Sequence, residues 1–123
     1  MTSDELLAFA EQLANRAHEF AQPEAALRSA ISRAYYAAFW AARDGLEALP
    51  PRGDTHSWVI EQYAHHPSSR RQCRAVAESL KRARRARNEA DYDATGGEWR
   101  KRYELCITEV KRVLTNVSIC CGP

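Results

Sequence analysis

The sequence lacks several features that would assign it to a specialised class of protein. Its longest uninterrupted apolar run, Ala34 to Ala42, has nine residues, whereas a membrane-spanning helix needs roughly 20. Glycine and proline number only 5 each, which excludes collagen-like and low-complexity chains. Asp4 and Glu5 stand where a signal peptide would carry basic residues. We therefore expect a cytoplasmic protein that is neither exported nor bound to a membrane.

The chain also lacks the cysteine spacing of a zinc or redox motif. No two of its 4 cysteines form a C-x-x-C pair, and we expect all of them to be free thiols in a reducing compartment. His65 and His66 could join them at a metal ion, but adjacent histidines before Pro67 point in different directions. We therefore predict no metal site and no cofactor. The cysteines are Cys73, Cys106, Cys120 and Cys121.

What the chain does contain is typical of one ordered domain with an uneven charge distribution. Its 123 residues, 45% of them hydrophobic, suit a single domain covering 1–123. The segment from Arg70 to Arg87 holds eight basic residues and one acid, which gives +7, although the whole chain carries only +2. This basic segment indicates either a polyanionic or acidic partner or a solvated helix face.

The apolar residues recur with a helical period, and strand-like alternation is hard to find. Thr2 and Glu5 form a capping box for a first helix that should reach about residue 20. Its expected inward face is Leu6, Phe9, Leu13, Ala17 and Phe20. A second helix should begin at Pro23, continue to Leu49 and stop at Pro50-Pro51. Because it has large side chains on two faces, we expect it to lie at the centre of the fold.

Three more helices follow in the pattern. Asp54 or Thr55 could cap a short helix that ends near Tyr63. The fourth should open at Pro67–Ser69, and the last should follow a capping box of Thr95 with Glu98 and end before Gly122. The predicted fold class is all-α, an antiparallel helical bundle of four long helices plus one short helix.

The fourth helix changes character along its inward face. On a helical wheel Cys73, Val76 and Leu80 define an apolar stripe, and its continuation carries charged residues instead. Those residues are Arg84, Arg87 and Asp91. Two interpretations remain open: an Arg87–Asp91 pair that serves packing alone, or a polar groove with Asn88 that binds phosphate through arginine forks.

Three segments carry a resemblance to a known family. They are Ser32–Phe39 (SRAYYAAF), His56–Ile60 (HSWVI) and Arg84–Tyr92 (RRARNEADY). In this order they resemble the small stand-alone prokaryotic HEPN (higher eukaryotes and prokaryotes nucleotide-binding) domains. The resemblance implies an all-α homodimer, often encoded beside a minimal nucleotidyltransferase in a toxin–antitoxin pair. It also implies metal-independent RNA cleavage in members with an Arg-Asn-x-x-x-His signature.

The chain departs from that signature at one position. Arg87 and Asn88 match it, but Tyr92 stands where the signature has histidine. Tyrosine, with a reference pKa near 10, is a poor base at neutral pH, so the resemblance favours binding over turnover. His56 is a candidate replacement from the start of the short helix, although a capping role would also explain it.

Four hypotheses about function follow. The first is a homodimer that binds RNA or nucleotide at a basic groove, and the second is an endoribonuclease toxin in which Arg87 acts with His56 or an activated Tyr92. The third is a non-enzymatic module that docks a nucleotidyltransferase or another acidic partner, and the fourth is a helical scaffold without a ligand. The groove residues of the first hypothesis are Arg84, Arg87, Asn88, Asp91 and Tyr92, with Arg33 and Tyr36 from the second helix.

Overall fold

The structure, a computed structural model of the chain, describes residues 1–93 and 96–123. Within these residues it contains five α-helices, one 3₁₀ turn and no β-strand, which confirms the all-α class. No helix in this part of the chain is both long enough and apolar enough to cross a bilayer. The helices are α1 (Ser3–Asn15), α2 (Pro23–Asp44), α3 (Thr55–Ala64), α4 (Arg71–Tyr92) and α5 (Trp99–Cys121), with the 3₁₀ turn at Ala17–Glu19.

Helix α2 lies at the centre, where it contacts each of the other four helices. Its two-sided pattern predicts this position. Many of its buried side chains are small, including the fully buried Ala30, Ala34 and Ala38. Small side chains allow neighbouring helix backbones to approach closely, while Ile31 and Tyr35 fill the remaining volume.

The expectation for α1 was wrong in two respects. The helix ends at Asn15, and only a 3₁₀ turn continues it toward residue 20. Phe9 and Phe20, expected to face inward, are 40% and 48% exposed, while Ala10 and Ala14 are buried. Alanines fit the close contact with α2, whereas the two aromatic rings are too large for it and lie at its edge.

The expected end of α2 was also wrong. The helix stops at Asp44 rather than Leu49, and Leu49 is 91% exposed. The residue that follows the helix is Gly45, and glycine costs about 1 kcal/mol relative to alanine inside a helix. The chain therefore leaves the helix before it reaches Pro50.

Two of the predicted caps are present, those of α1 and α3. The Thr2 hydroxyl oxygen accepts a hydrogen bond from the Glu5 backbone N–H at 3.1 Å. For α3, the structure selects Asp54 over Thr55 as the capping residue, since the Asp54 carboxylate accepts from Ser57 N–H. Helix α4 begins at Arg71, later than the predicted Pro67–Ser69. The last predicted capping box relies on Thr95, which lies outside the described residues.

The first turn of α4 and the last turn of α5 lie side by side, which corrects the cysteine assignment. Cys73 and Cys120 form a disulfide with their Cα atoms 4.9 Å apart, whereas Cys106 and Cys121 are free thiols as expected. The two joined cysteines are separated by 47 positions. Sequence spacing could not reveal this pairing, because it depends on how two distant helix ends meet in the fold.

We predict that Gly45→Ala destabilises the protein. An added Cβ would lie 2.9 Å from the Tyr63 hydroxyl oxygen and 3.1 Å from Val117 Cγ1. Overpacking of this kind typically costs about 1–3 kcal/mol of the free energy of unfolding, measurable by urea denaturation. Gly96→Ala is the matched control, because no atom of the described residues lies within 4 Å of its added Cβ. Equal stability of the two variants would contradict the tight contact at Gly45.

Candidate functional site

The inward stripe of α4 changes from apolar to charged as the sequence predicts. Val76 and Leu80 are buried, and the next inward positions hold Arg84 and Arg87, whose side chains are 27% and 12% exposed. Arg82 and Arg85 lie on the exposed face of the same helix. Two guanidinium groups are thus largely withdrawn from water and need acceptors within the fold.

Arg84 binds the start of α3. Its Nη2 lies 3.3 Å from both carboxylate oxygens of Asp54, and its Nη1 donates to the Ser57 hydroxyl oxygen at 3.0 Å. Hydrogen bonds from the Ser57 hydroxyl and backbone N–H, together with Arg84, lower the pKa of the Asp54 carboxyl. A single carboxylate therefore caps α3 and joins it to α4.

Arg87 lies between an acid and two aromatic rings. Its Nη1 is 3.6 Å from Asp91 Oδ2, so the i, i+4 pair that the sequence allows is present. Its guanidinium carbon lies 5.4 Å from the ring centroid of Tyr35 and 5.6 Å from that of Tyr36. The aromatic faces favour the cation at this partly desolvated position.

These partners do not satisfy either guanidinium completely. The Nε atoms of Arg84 and Arg87 are both buried and have no hydrogen-bond partner among the described residues. A buried donor without an acceptor costs about 1–3 kcal/mol. Each guanidinium thus keeps one donor that its partners in the fold leave unsatisfied, and a ligand oxygen could reach these buried atoms only if the side chains moved.

His56 lies in the same cluster and is held by aromatic side chains. Its Nδ1 is 2.5 Å from the Tyr35 hydroxyl oxygen, and its ring stacks on Phe39 with centroids 4.2 Å apart. The Tyr36 ring approaches it edge-on at 6.0 Å. The structure thus brings together His56 and Arg87, the two residues predicted to be catalytic, through their shared contacts with Tyr35 and Tyr36.

The surroundings keep both members of the His56–Tyr35 pair uncharged. Burial lowers the pKa of His56, and the positive charges of Arg84 and Arg87 add to this effect. Burial raises the pKa of Tyr35. If Tyr35 donates to Nδ1, the neutral imidazole presents an N–H at Nε2; if it accepts, Nε2 is a free base. The same ring can therefore donate to a phosphate or accept a proton.

Of the remaining predicted site residues, one is directed toward α1 and two are exposed. The Arg33 guanidinium lies 5.8 Å from the Phe9 ring centroid, which directs it toward α1. Asn88 is exposed on α4, and Tyr92 is 76% exposed in the last turn. Arg28, which the sequence did not single out, donates from Nε to the Ala90 carbonyl at 2.7 Å and ties α2 to this end of α4.

Sequence reasoning missed the site roles of Asp54, Ser57 and Tyr35. Asp54 and Ser57 carry an N-cap signal, but their contact with Arg84 joins positions about 30 residues apart. Tyr35 fits the apolar stripe of α2, and its hydroxyl group was the only available sign of a polar role. The two aspartates balance the two arginines within the cluster, so the excess positive charge lies on the exposed face of α4.

Comparison with known proteins found no matching family model, no matching curated protein and no matching solved structure. The resemblance to HEPN domains therefore stays a prediction that rests on the residues of this chain.

We predict that acid destabilises the protein partly through His56. Because burial lowers the pKa of His56 in the folded state, the unfolded chain, with a pKa near 6.5, binds this proton more readily. The stabilisation that neutral His56 contributes should therefore be fully present above about pH 6.5. The free energy of unfolding should decrease as the pH falls from there through the pKa of His56 in the folded protein. Urea denaturation at pH 7 and pH 5 tests this. His56→Gln should reduce the difference between the two pH values, and an unchanged difference would contradict the prediction.

Proposed function

We propose that this chain is a HEPN-type protein that binds the phosphate groups of RNA or nucleotides at the cluster of Arg84, Arg87 and His56. The observation that carries this proposal is the pair of guanidinium groups of Arg84 and Arg87 on successive turns of α4, which their partners among the described residues satisfy only in part. Guanidinium groups match phosphate oxygens in geometry and in charge. The neutral His56 ring beside them can donate a further hydrogen bond.

The charge distribution supports a polyanion as the ligand. The exposed face of α4 adds positive charge outside the balanced cluster, and two of its basic residues are paired, Lys81 with Glu78 and Arg82 with Glu109 of α5. Such a surface attracts nucleic acid from a distance, while the inner donors bind individual phosphates. The exposed basic residues are Arg71, Arg74, Lys81, Arg82 and Arg85.

The finer architecture belongs to the same proposal. We expect the four long helices to form an antiparallel bundle and the chain to act as a homodimer with its two-fold axis near α4. A two-fold axis near α4 would bring the exposed basic residues of two copies together and strengthen the positive field around the groove. A cytoplasmic location and pairing with a nucleotidyltransferase remain expectations from the sequence.

Arg87→Ala should weaken RNA binding by about 10–100-fold, the equivalent of the roughly 1.5–3 kcal/mol of a charge-assisted hydrogen bond. Fluorescence anisotropy with a labelled single-stranded RNA at several salt concentrations measures both affinity and salt slope. Arg85→Ala is the matched control, because it removes the same charge from the exposed face of the same helix. Equal losses in the two variants would contradict the inner site.

Asp54→Asn extends this experiment and separates binding from a purely structural role. Asparagine caps a helix nearly as well as aspartate, so the variant keeps α3 while it removes the charge that competes for Arg84. The binding proposal requires tighter RNA binding in this variant. If neither the wild type nor this variant binds RNA, the paired arginines serve packing alone.

A second function, metal-independent RNA cleavage, is favoured by the shared position of His56 and Arg87. In the tautomer with a free Nε2, His56 would take the proton of the 2′-hydroxyl, whose oxygen attacks phosphorus as the bond to the 5′-oxygen breaks. Arg87 would hold the charge of the phosphate, and the leaving oxygen would take up a proton. The products would be a 2′,3′-cyclic phosphate and a 5′-hydroxyl.

If the protein cleaves RNA, His56→Ala should reduce the cleavage rate by about 100-fold or more, the usual contribution of general acid–base catalysis. Labelled RNA incubated with the protein in excess EDTA, then separated on a denaturing gel, measures the rate. Tyr92→Phe is the control, since Tyr92 is exposed and His56 is the assigned base. Cleavage that depends on Tyr92 rather than His56 would overturn the assignment, and intact RNA with the wild type would leave binding as the function.

The exposure of Tyr92 supports the third hypothesis, a module that docks a nucleotidyltransferase. Its hydroxyl group is exposed at the end of α4, where a nucleotidyltransferase partner could reach it as an acceptor. In that case the protein would be a non-enzymatic interaction module, and the basic face of α4 would dock the acidic partner.

A further inference from the structure

A second cluster of reactive side chains lies at the opposite end of α4. One ring nitrogen of His66 and the sulfur atoms of Cys73 and Cys120 all lie within 4.8 Å of one another. The two sulfurs form the disulfide between the start of α4 and the end of α5. None of these residues contributes to the arginine cluster, so they need a separate explanation.

This cluster is largely buried, with Cys73 and Cys120 each only 1% exposed. A cavity of about 350 Å³ opens beside it and is lined by His66, Ser68, Cys120 and the free Cys121, among others. The Ser68 hydroxyl oxygen lies 3.1 Å from His66 Nδ1 and 3.0 Å from Cys73 Sγ. An ion would approach from this cavity past His66 and Ser68, and side chains around the buried sulfurs would have to move to admit it.

We propose that, when this disulfide is reduced, Cys73, Cys120 and His66 bind a Zn²⁺-type divalent cation. Two thiolates and one imidazole form a donor set that suits zinc. With Zn–S bonds of about 2.3 Å, tetrahedral coordination places two sulfurs roughly 3.8 Å apart. Reduction breaks the bond between the two sulfurs, which then have to move apart to bind the metal. Water or the Cys121 thiolate would take the fourth position.

The disulfide and the metal exclude each other. A dithiol reductant supplies two electrons and two protons, which break the S–S bond and give two thiols while the reductant forms its own disulfide. Metal binding then replaces both thiol protons. The same pair of residues would therefore join α4 to α5 covalently under oxidising conditions and through the metal under reducing ones.

The Arg70 side chain also joins the start of α4 to the end of α5, and it does so whether the two sulfurs bind each other or a metal. The Arg70 guanidinium donates to the carbonyl oxygens of Ile119 and Gly122 at 2.5 and 3.0 Å, and of Pro123 at 3.2 Å. A cation is favourable at the carboxyl end of a helix. Because these bonds do not involve the disulfide, the ligands stay close to one another after reduction, and the site is preorganised.

The two adjacent histidines differ in a way that defines the site. His65 is exposed, and its Nε2 lies 3.4 Å from Glu61 Oε2, whereas the His66 ring faces the sulfurs. The expectation that these histidines point in different directions is thus correct. It does not exclude a metal, because one histidine is sufficient beside two cysteines.

Cobalt(II) binding to the full-length protein tests the proposal. The protein is reduced with a phosphine, freed of reductant without oxygen, and titrated with Co²⁺, whose thiolate charge-transfer and d–d absorption report sulfur ligation and four-coordinate geometry. We expect these bands at one equivalent and their loss when Zn²⁺ is added. The disulfide form should not show them. A reduced wild-type protein without thiolate–cobalt bands would overturn the proposal.

Matched variants identify the ligands. Cys73→Ser, Cys120→Ser and His66→Ala should each weaken cobalt binding by more than about 100-fold, because loss of an outer partner alone typically costs 10–100-fold. His65→Ala and Cys106→Ser, which remove a neighbouring histidine and a buried thiol, should leave it unchanged. Circular dichroism checks that the reduced variants keep their helices. If His65→Ala weakens binding as much as His66→Ala, the assigned ligand set is wrong.

Discussion

The candidate site depends on one electrostatic constraint: two arginines occupy the inward face of α4, where the first half of the helix places apolar side chains. A buried guanidinium requires acceptors, and much of the local structure provides them. Asp54 binds Arg84 and at the same time caps α3, so the position of α3 is tied to that of the arginine. The aromatic rings of α2 border the second arginine and hold His56 in turn.

The arrangement satisfies the arginines only in part, and this is why we propose binding rather than packing alone. Replacement of a buried ion pair with apolar residues is often neutral or stabilising, so two such pairs add little to the fold by themselves. A phosphate oxygen could compete for the Arg87 guanidinium with the partly exposed Asp91, whose Oδ2 lies 3.6 Å from Arg87 Nη1.

The sequence predicts the helices and the inward and outward faces of α4, but it does not predict the contacts between distant segments. Periodicity placed Arg84 and Arg87 inward and Arg82 and Arg85 outward, because these directions follow from the helix alone. The bond between Asp54 and Arg84, the contact of Tyr35 with His56 and the disulfide at Cys73 depend on how helices meet, which local patterns do not encode. The inward face of α1 was misjudged for a related reason: an apolar stripe shows which residues could be buried, whereas the small volume available beside α2 selected the alanines.

Helix α3 links the two ends of α4 and therefore both proposed sites. Its first residues bind Arg84 and carry His56, and its last turn leads within two residues to His66. Cys73 and Arg87 are 14 positions apart in α4, which corresponds to about 21 Å along the helix axis, too far for direct contact between a metal and a phosphate. Any effect of one site on the other would have to pass through the packing of α3 against α4. The disulfide lies at the amino end of α4, near the end of α3. Asp54, at the start of α3, binds Arg84 in the second half of α4. The two sites are therefore expected to act independently.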